Sequence, residues 1–122
     1  MGLLDWNKSI ADQAEGIKMA ENIENINVFL QPCSKNYNKN VWDNCAKILS
    51  ARSNEELSPY MIELMEWLQD MNWPGAFCIF ERLKGMVNEQ LFQHSYTICL
   101  KCAQALEDEV WENNLRMLKA GN

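Results

Sequence analysis

The stretch Pro59-Tyr-Met-Ile-Glu-Leu-Met-Glu-Trp-Leu-Gln-Asp-Met-Asn-Trp-Pro74 reads as a helix, a sharp corner and the approach to a second helix. Met61, Leu64, Met65, Leu68 and Met71 recur at spacings of three and four, which puts them on one apolar face of an α-helix. Glu56, Glu63, Glu66 and Asp70, spaced by seven, three and four, fall together on a different face that is acidic and wet. Pro59 suits the first helical turn, where its missing N–H removes no bond; Pro74 suits the same place in the next helix and drives Trp73 out of helical geometry. The corner then spans 70–73. Trp67 falls at the edge of the apolar face, between Glu63 and Asp70, either as a core-edge residue or as an anchor that a partner would bury.

Toward the amino terminus, Asn40 caps a helix over 41–52 with Trp42, Cys45, Ile48 and Leu49 as its buried stripe. Ser53 or Asn54 caps the segment that follows, with Glu55 and Glu56 at the positive end of its macrodipole. Residues 33–40, rich in Asn, Ser and Lys and without an apolar period, read as a loop. Asp5 caps a first helix over 6–20, with Trp6, Ile10, Ala14 and Ile17 on one face. A short helix over 23–30, β-branched enough to be read equally as a strand, stops at Gln31-Pro32.

Toward the carboxyl terminus, Ala76, Ile79, Phe80, Leu83 and Val87 continue the helical spacing, and Gly85 weakens the end of that helix. Asn88 caps the longest apolar helix, whose stripe is Phe92, Ser95, Tyr96, Cys99, Ala103 and Leu106, widened by Leu91, Ile98 and Cys102. A last helix over 108–119 carries Val110, Trp111, Leu115 and Leu118, with acids early, Arg116 and Lys119 late, and a stop at Gly121. Trp6, Trp42 and Trp111 are expected in the core. Trp73 is expected between the two helices it joins.

No segment alternates as a strand does, and no Asn-Gly or Asp-Gly hairpin turn occurs. The expected fold is therefore all-α, one domain over 1–122. Pairing the helix at 41 with that at 59, and the helix at 74 with that at 88, gives antiparallel hairpins and favours a short HEAT-like α-solenoid over an irregular helical bundle.

Composition narrows the function. With 122 residues, 48% hydrophobic, five Gly and three Pro, the chain can bury a single core. No apolar run approaches the roughly 18 residues that cross a bilayer, and the first residues lack both signal-peptide design and a myristoylation pattern, so a cytoplasmic, membrane-free protein is expected. Five cysteines are an odd number among apolar positions, which fits reduced, buried thiols. A net charge of −6 argues against nucleic acid as the partner and toward a basic one. The charge is uneven: residues 54–81 hold six acids and no base, whereas residues 35–53 hold four bases and one acid. A solvated helix face and a binding face both fit such a run.

Chemical motifs are sparse. Cys99-Leu-Lys-Cys102 has the redox and half-zinc spacing, but no strand precedes it and no second ligand pair matches it. His94, the single histidine, is five residues from Cys99 on one helix and turned away from it, and Glu66 with Asp70 lacks the burial that general acid–base work requires. No catalytic, cofactor-binding or metal residues are assigned, and an enzyme is not expected.

Trp42-Asp-Asn-Cys-Ala-Lys-Ile-Leu49 together with Glu63-Leu-Met-Glu-Trp-Leu-Gln-Asp-Met-Asn-Trp-Pro-Gly-Ala76 resembles a small bacterial family of all-helical proteins of unknown function, encoded among the immunity genes of polymorphic and contact-dependent toxin systems. The likeness runs from about residue 40 to 83. It implies a HEAT-like fold and neutralisation of a cognate toxin, and it carries no binding residues of its own, because the motif marks a corner and a core. Many such toxins are basic, nucleases among them, so the acidic face and the resemblance point the same way. The expected contact is Glu56, Glu63, Glu66 and Asp70 around Trp67, with Glu107, Asp108, Glu109 and Glu112 as a second acidic surface. The alternative is a helical-repeat adaptor in another cytoplasmic assembly.

Overall fold

A computed structural model describes residues 1–31 and 39–120 of the chain. Among them every regular element is helical: α1 (Ile10–Ala20), α2 (Trp42–Ser50), α3 (Asn54–Leu57), α4 (Met61–Glu66), α5 (Ala76–Lys84), α6 (Gln90–Ala105) and α7 (Glu109–Ala120), with tighter 3-10 turns at Gly2–Leu4, Ile26–Phe29, Lys39–Val41, Ser58–Tyr60 and Trp67–Gln69. The protein is all-α, as its periodicity requires. The expected loop over 33–40 lies mostly outside the described residues, as do Cys33 and Gly121.

The helix read over 59–70 is a bent run in four pieces from Asn54 to Gln69. Ser53 starts it with a reciprocal cap: its hydroxyl accepts from the Glu56 N–H at 3.1 Å, and the Glu56 carboxylate accepts from the Ser53 N–H at 3.3 Å. Pro59 cannot donate to the preceding turn, so the chain tightens to a 3-10 turn there before α4 resumes. Asp70 ends the run, its carboxylate accepting from the Asn72 N–H at 2.9 Å and its carbonyl from the Trp73 N–H at 3.0 Å.

The corner continues past Pro74, and α5 begins only at Ala76, because Gly75 takes φ +84. A Cβ at Gly75 would lie 2.7 Å from Ala46 Cβ, 2.9 Å from the Trp42 carbonyl oxygen and 3.0 Å from the Trp67 ring. Only glycine supplies both the backbone angle and the space.

The closest helix pairs are α2 with α5 and α4 with α6, not the expected hairpins of α2 with α4 and α5 with α6, because the corner at 70–75 carries α5 back onto α2; α6 and α7 form the hairpin of sequence neighbours. The turn at Trp67–Gln69 touches both α5 and α7. On α6 the buried residues are Phe92, Ser95, Tyr96, Cys99 and Ala103, one narrow stripe. Leu91, Cys102 and Leu106, expected to widen or continue it, are exposed, because α4 and α7 cover only the central strip. Two buried side chains of α7 tie this body together: the Trp111 indole donates to the Met65 carbonyl at 3.0 Å, and the Asn114 amide donates to the Leu68 carbonyl at 2.7 Å. They bring side-chain donors to two carbonyls at the end of the bent run, where helical bonding thins out.

The amino-terminal layer is built differently. The first helix starts at Ile10 rather than Trp6, with Ser9 as its cap, its hydroxyl accepting from the Asp12 N–H at 3.1 Å. Asp5 instead accepts from the Asn7 N–H and makes a turn. The core assignments of Trp6 and Ile10 fail, since they are 46% and 87% exposed. The segment read as a helix over 23–30 shrinks to the turn Ile26–Phe29, which buries Ile26 and Phe29. This layer docks chiefly on α2. Asn44 of α2 donates to the Leu4 carbonyl at 2.8 Å and to Gln13 at 2.9 Å, and Arg52 donates to the carbonyls of Ala20 and Ile23, both at 2.8 Å, closing the end of α1.

Candidate functional site

The acidic run can be followed residue by residue. Glu56 is exposed, completes the Ser53 cap, and pairs with Arg52 at 2.8 Å; the Arg52 guanidinium, then Ser53, hold its carboxyl below the ordinary carboxylate value. Its partner Arg52 is the residue that closes α1, so Glu56 belongs to the joint between the amino-terminal layer and α2. Glu63 and Glu66 lie on α4, half-buried beside α6. Their charges reach Cys99 of α6, whose thiol burial pushes up to about 12, with Glu66, Cys102 and Glu63 adding to the rise. Asp70, also half-buried, shapes the corner.

The expected constellation is therefore divided. Three residues in each 3-10 turn advance by a third of a circle apiece instead of the smaller α-helical step, so the turn at Ser58–Tyr60 rotates Glu56 by about 60° relative to α4. Glu63, Glu66 and Asp70 remain as the acidic side of α4 and its end.

Trp67 does not front this surface. It is 0% exposed, its indole N–H donates to the Pro74 carbonyl at 3.0 Å, and its ring meets Trp42 edge-on at 6.2 Å. Trp73 meets Trp42 at 5.6 Å, so its neighbour is α2 as well as the corner it belongs to. Lys39 stands over both Trp42 and Trp73, at 5.7 and 6.0 Å from the ring centres. The two contacts of Trp42, with Trp67 and with Trp73, are the part of the corner that helical spacing did not reveal. Its signal in the sequence was the Trp-Pro-Gly ending, which demands a close backbone approach.

The second acidic surface sits at the α6–α7 corner. Glu107 adopts φ 55, and the Asp108 carboxylate accepts from the Trp111 N–H at 3.0 Å as the cap of α7. Glu109 is exposed, and Glu112 accepts from Arg116 at 2.8 Å and Gln104 at 3.3 Å, which hold its carboxyl below the ordinary value.

Among the described residues no group of three or more metal-ligating side chains converges. His94 is exposed, Cys99 is buried and Cys102 exposed, so the Cys-x-x-Cys pair is split between inside and outside. Cys45 is buried, and that burial raises its thiol to about 12. Thiols held protonated in this way are poor nucleophiles. No helix among the described residues is long and apolar enough to cross a membrane.

These features describe an all-helical protein with a closed tryptophan corner and acidic outer surfaces. Residues 37–119 match the family model described as Domain of unknown function (DUF5071), and the chain belongs to that family. No curated protein and no solved structure matches the chain. The family match, over 37–119, starts after the amino-terminal layer.

Proposed function

We propose that this chain is an immunity protein: it binds a cognate bacterial toxin domain and blocks it without catalysing a reaction. The observation that carries the reading is the charge of residues 54–81, six acids and no base, with Glu63 and Glu66 side by side on α4 and Asp70 at its end. A basic toxin domain, such as a nuclease, is drawn quickly to a surface of that sign, and the inhibitor then occupies the cationic surface its substrate needs. The resemblance of 42–49 and 63–76 to toxin-linked immunity proteins supports the same reading. The alternation of α2 with α5 and of α4 with α6 supports a short HEAT-like stack, a form that presents adjacent helices to a partner. Trp67 acts here from inside, holding the corner that positions α4.

The test is co-purification with the carboxyl-terminal domain encoded immediately upstream, together with growth of cells expressing that domain alone. Tight binding and rescue from toxicity are expected. The variant Glu63→Lys/Glu66→Lys/Asp70→Lys is expected to slow association and weaken protection while keeping the helical circular-dichroism signal. Unchanged affinity in that variant removes this face. Absence of both toxicity and complex removes the immunity reading and leaves the adaptor.

A further inference from the structure

Between the turn Gly2–Leu4, α1 and the turn Ile26–Phe29 lies a cavity of about 580 Å³. Its walls are apolar, with Leu4, Met19, Ile23, Val28 and Phe29 among them, and Lys8 is the one charged side chain that lines it. Gly16 sets its floor: a Cβ there would lie 2.8 Å from Leu3 Cβ and 2.9 Å from Leu4 Cδ2, so the first turn rests directly on α1. Met19, Ile23 and Val28 are exposed at the mouth. None of the ion pairs among the described residues involves Lys8.

Size and charge together choose the occupant. The volume falls within the range of about 300–1,000 Å³ usual for small-molecule sites, which are mostly apolar with a few placed polar groups. Lys8 is exposed at the edge of these apolar walls, and an ammonium without a carboxylate partner there attracts an anionic head and repels a cationic one. We propose that this cavity binds a small amphiphile with an apolar tail and a single anionic head, the tail among Met19, Ile23, Val28 and Phe29 and the head on the Lys8 ammonium. The site lies outside residues 37–119 and is independent of the toxin-binding reading.

The test is calorimetric titration of the full chain with sodium dodecanoate and with dodecyltrimethylammonium, both below their micelle concentrations. One dodecanoate per chain is expected, with the cation bound at least about tenfold more weakly. Lys8→Glu should weaken dodecanoate by about tenfold or more and erase the preference for the anion. Ile23→Arg, across the mouth, should abolish binding of both probes with the melting curve unchanged; Val28→Arg serves if Ile23→Arg does not fold. No binding of dodecanoate, or equal binding of the two probes by the unaltered chain, overturns the proposal. So does a dimer in sedimentation that Ile23→Arg dissociates, because a second copy then covers the mouth.

Discussion

The corner between α4 and α5 and the amino-terminal layer are both rich in large apolar residues, yet one is sealed and the other is open. At the corner Trp67 is enclosed by α2, by the chain turning through Pro74 and Gly75, and by α5, and every polar atom of its ring is used. In the layer Trp6, Ile10, Met19 and Ile23 stand on a helix and turns with chiefly one neighbour, α2, and all four are exposed. Residue type is the same in the two places; the number of covering elements differs. Burial is a property of how many surfaces converge, and a side chain with one neighbour keeps a face to water.

The contrast can be attacked first where it is strongest. Trp67→Ala should cost about 3–5 kcal/mol, the range for emptying a large aromatic site that cannot collapse, read from urea unfolding. A loss below about 1 kcal/mol would show that the corner is looser than its contacts indicate. Gly75→Ala should follow at about 3 kcal/mol, since the new Cβ meets the Trp42 backbone and Ala46 while the residue must hold a positive φ. A crystal structure of that variant with an unmoved corner would contradict the reason given for it.

Arg52→Gln tests the joint between the two regions. Its guanidinium closes the end of α1 through the carbonyls of Ala20 and Ile23, so about 2 kcal/mol of stability should be lost. Hydrogen exchange should quicken in residues 10–31 and stay unchanged in 61–120. Uniform acceleration would mean that layer and body unfold as one unit, which would break the distinction between them.

The sealed body should also leave a mark on pH dependence. Cys45 and Cys99 sit at about 12 in the folded chain against an ordinary 9.0, so between those values the folded state keeps protons that the unfolded state releases. Stability is then full below 9 and falls as pH rises, by about 1 kcal/mol from each thiol over the first unit or so. Urea melts at pH 8 and 10 should show this extra loss in the unaltered chain, and Cys45→Ala/Cys99→Ala should lack it. The smallest effect belongs to the layer: Trp6→Ala should shift stability by no more than about 0.5 kcal/mol, as expected for an exposed side chain.

Much of this was readable in the sequence. The α6 stripe through Phe92, Ser95, Tyr96, Cys99 and Ala103 was found by spacing alone, because α4 and α7 cover the face that spacing marks. Trp42 and Trp111 were placed correctly for the same reason. Trp6 was not, and Trp67, which spacing left between core edge and partner anchor, lies wholly inside. A helical wheel assumes one unbroken α-helix, whereas the 3-10 turns at Ser58–Tyr60 and Trp67–Gln69 shift the phase on either side of α4. That shift separates Glu56 from Glu63 and Glu66, and the turn-back at Gly75 brings α2 and α5 over the Trp67 ring.

The sequence by itself determined that this chain is helical, where its main apolar stripes run, that it turns sharply after Asp70, and that its negative charge gathers between 54 and 81. Local spacing, proline and glycine chemistry and residue counts are enough for each of these. Only the tertiary structure decided that Trp67 closes inward while Trp6 stays out, that the acidic row divides, and that a lysine-lined cavity lies under the first turn. Those outcomes depend on which distant segments converge on a side chain, and periodicity orients a residue on its own helix without saying what covers it.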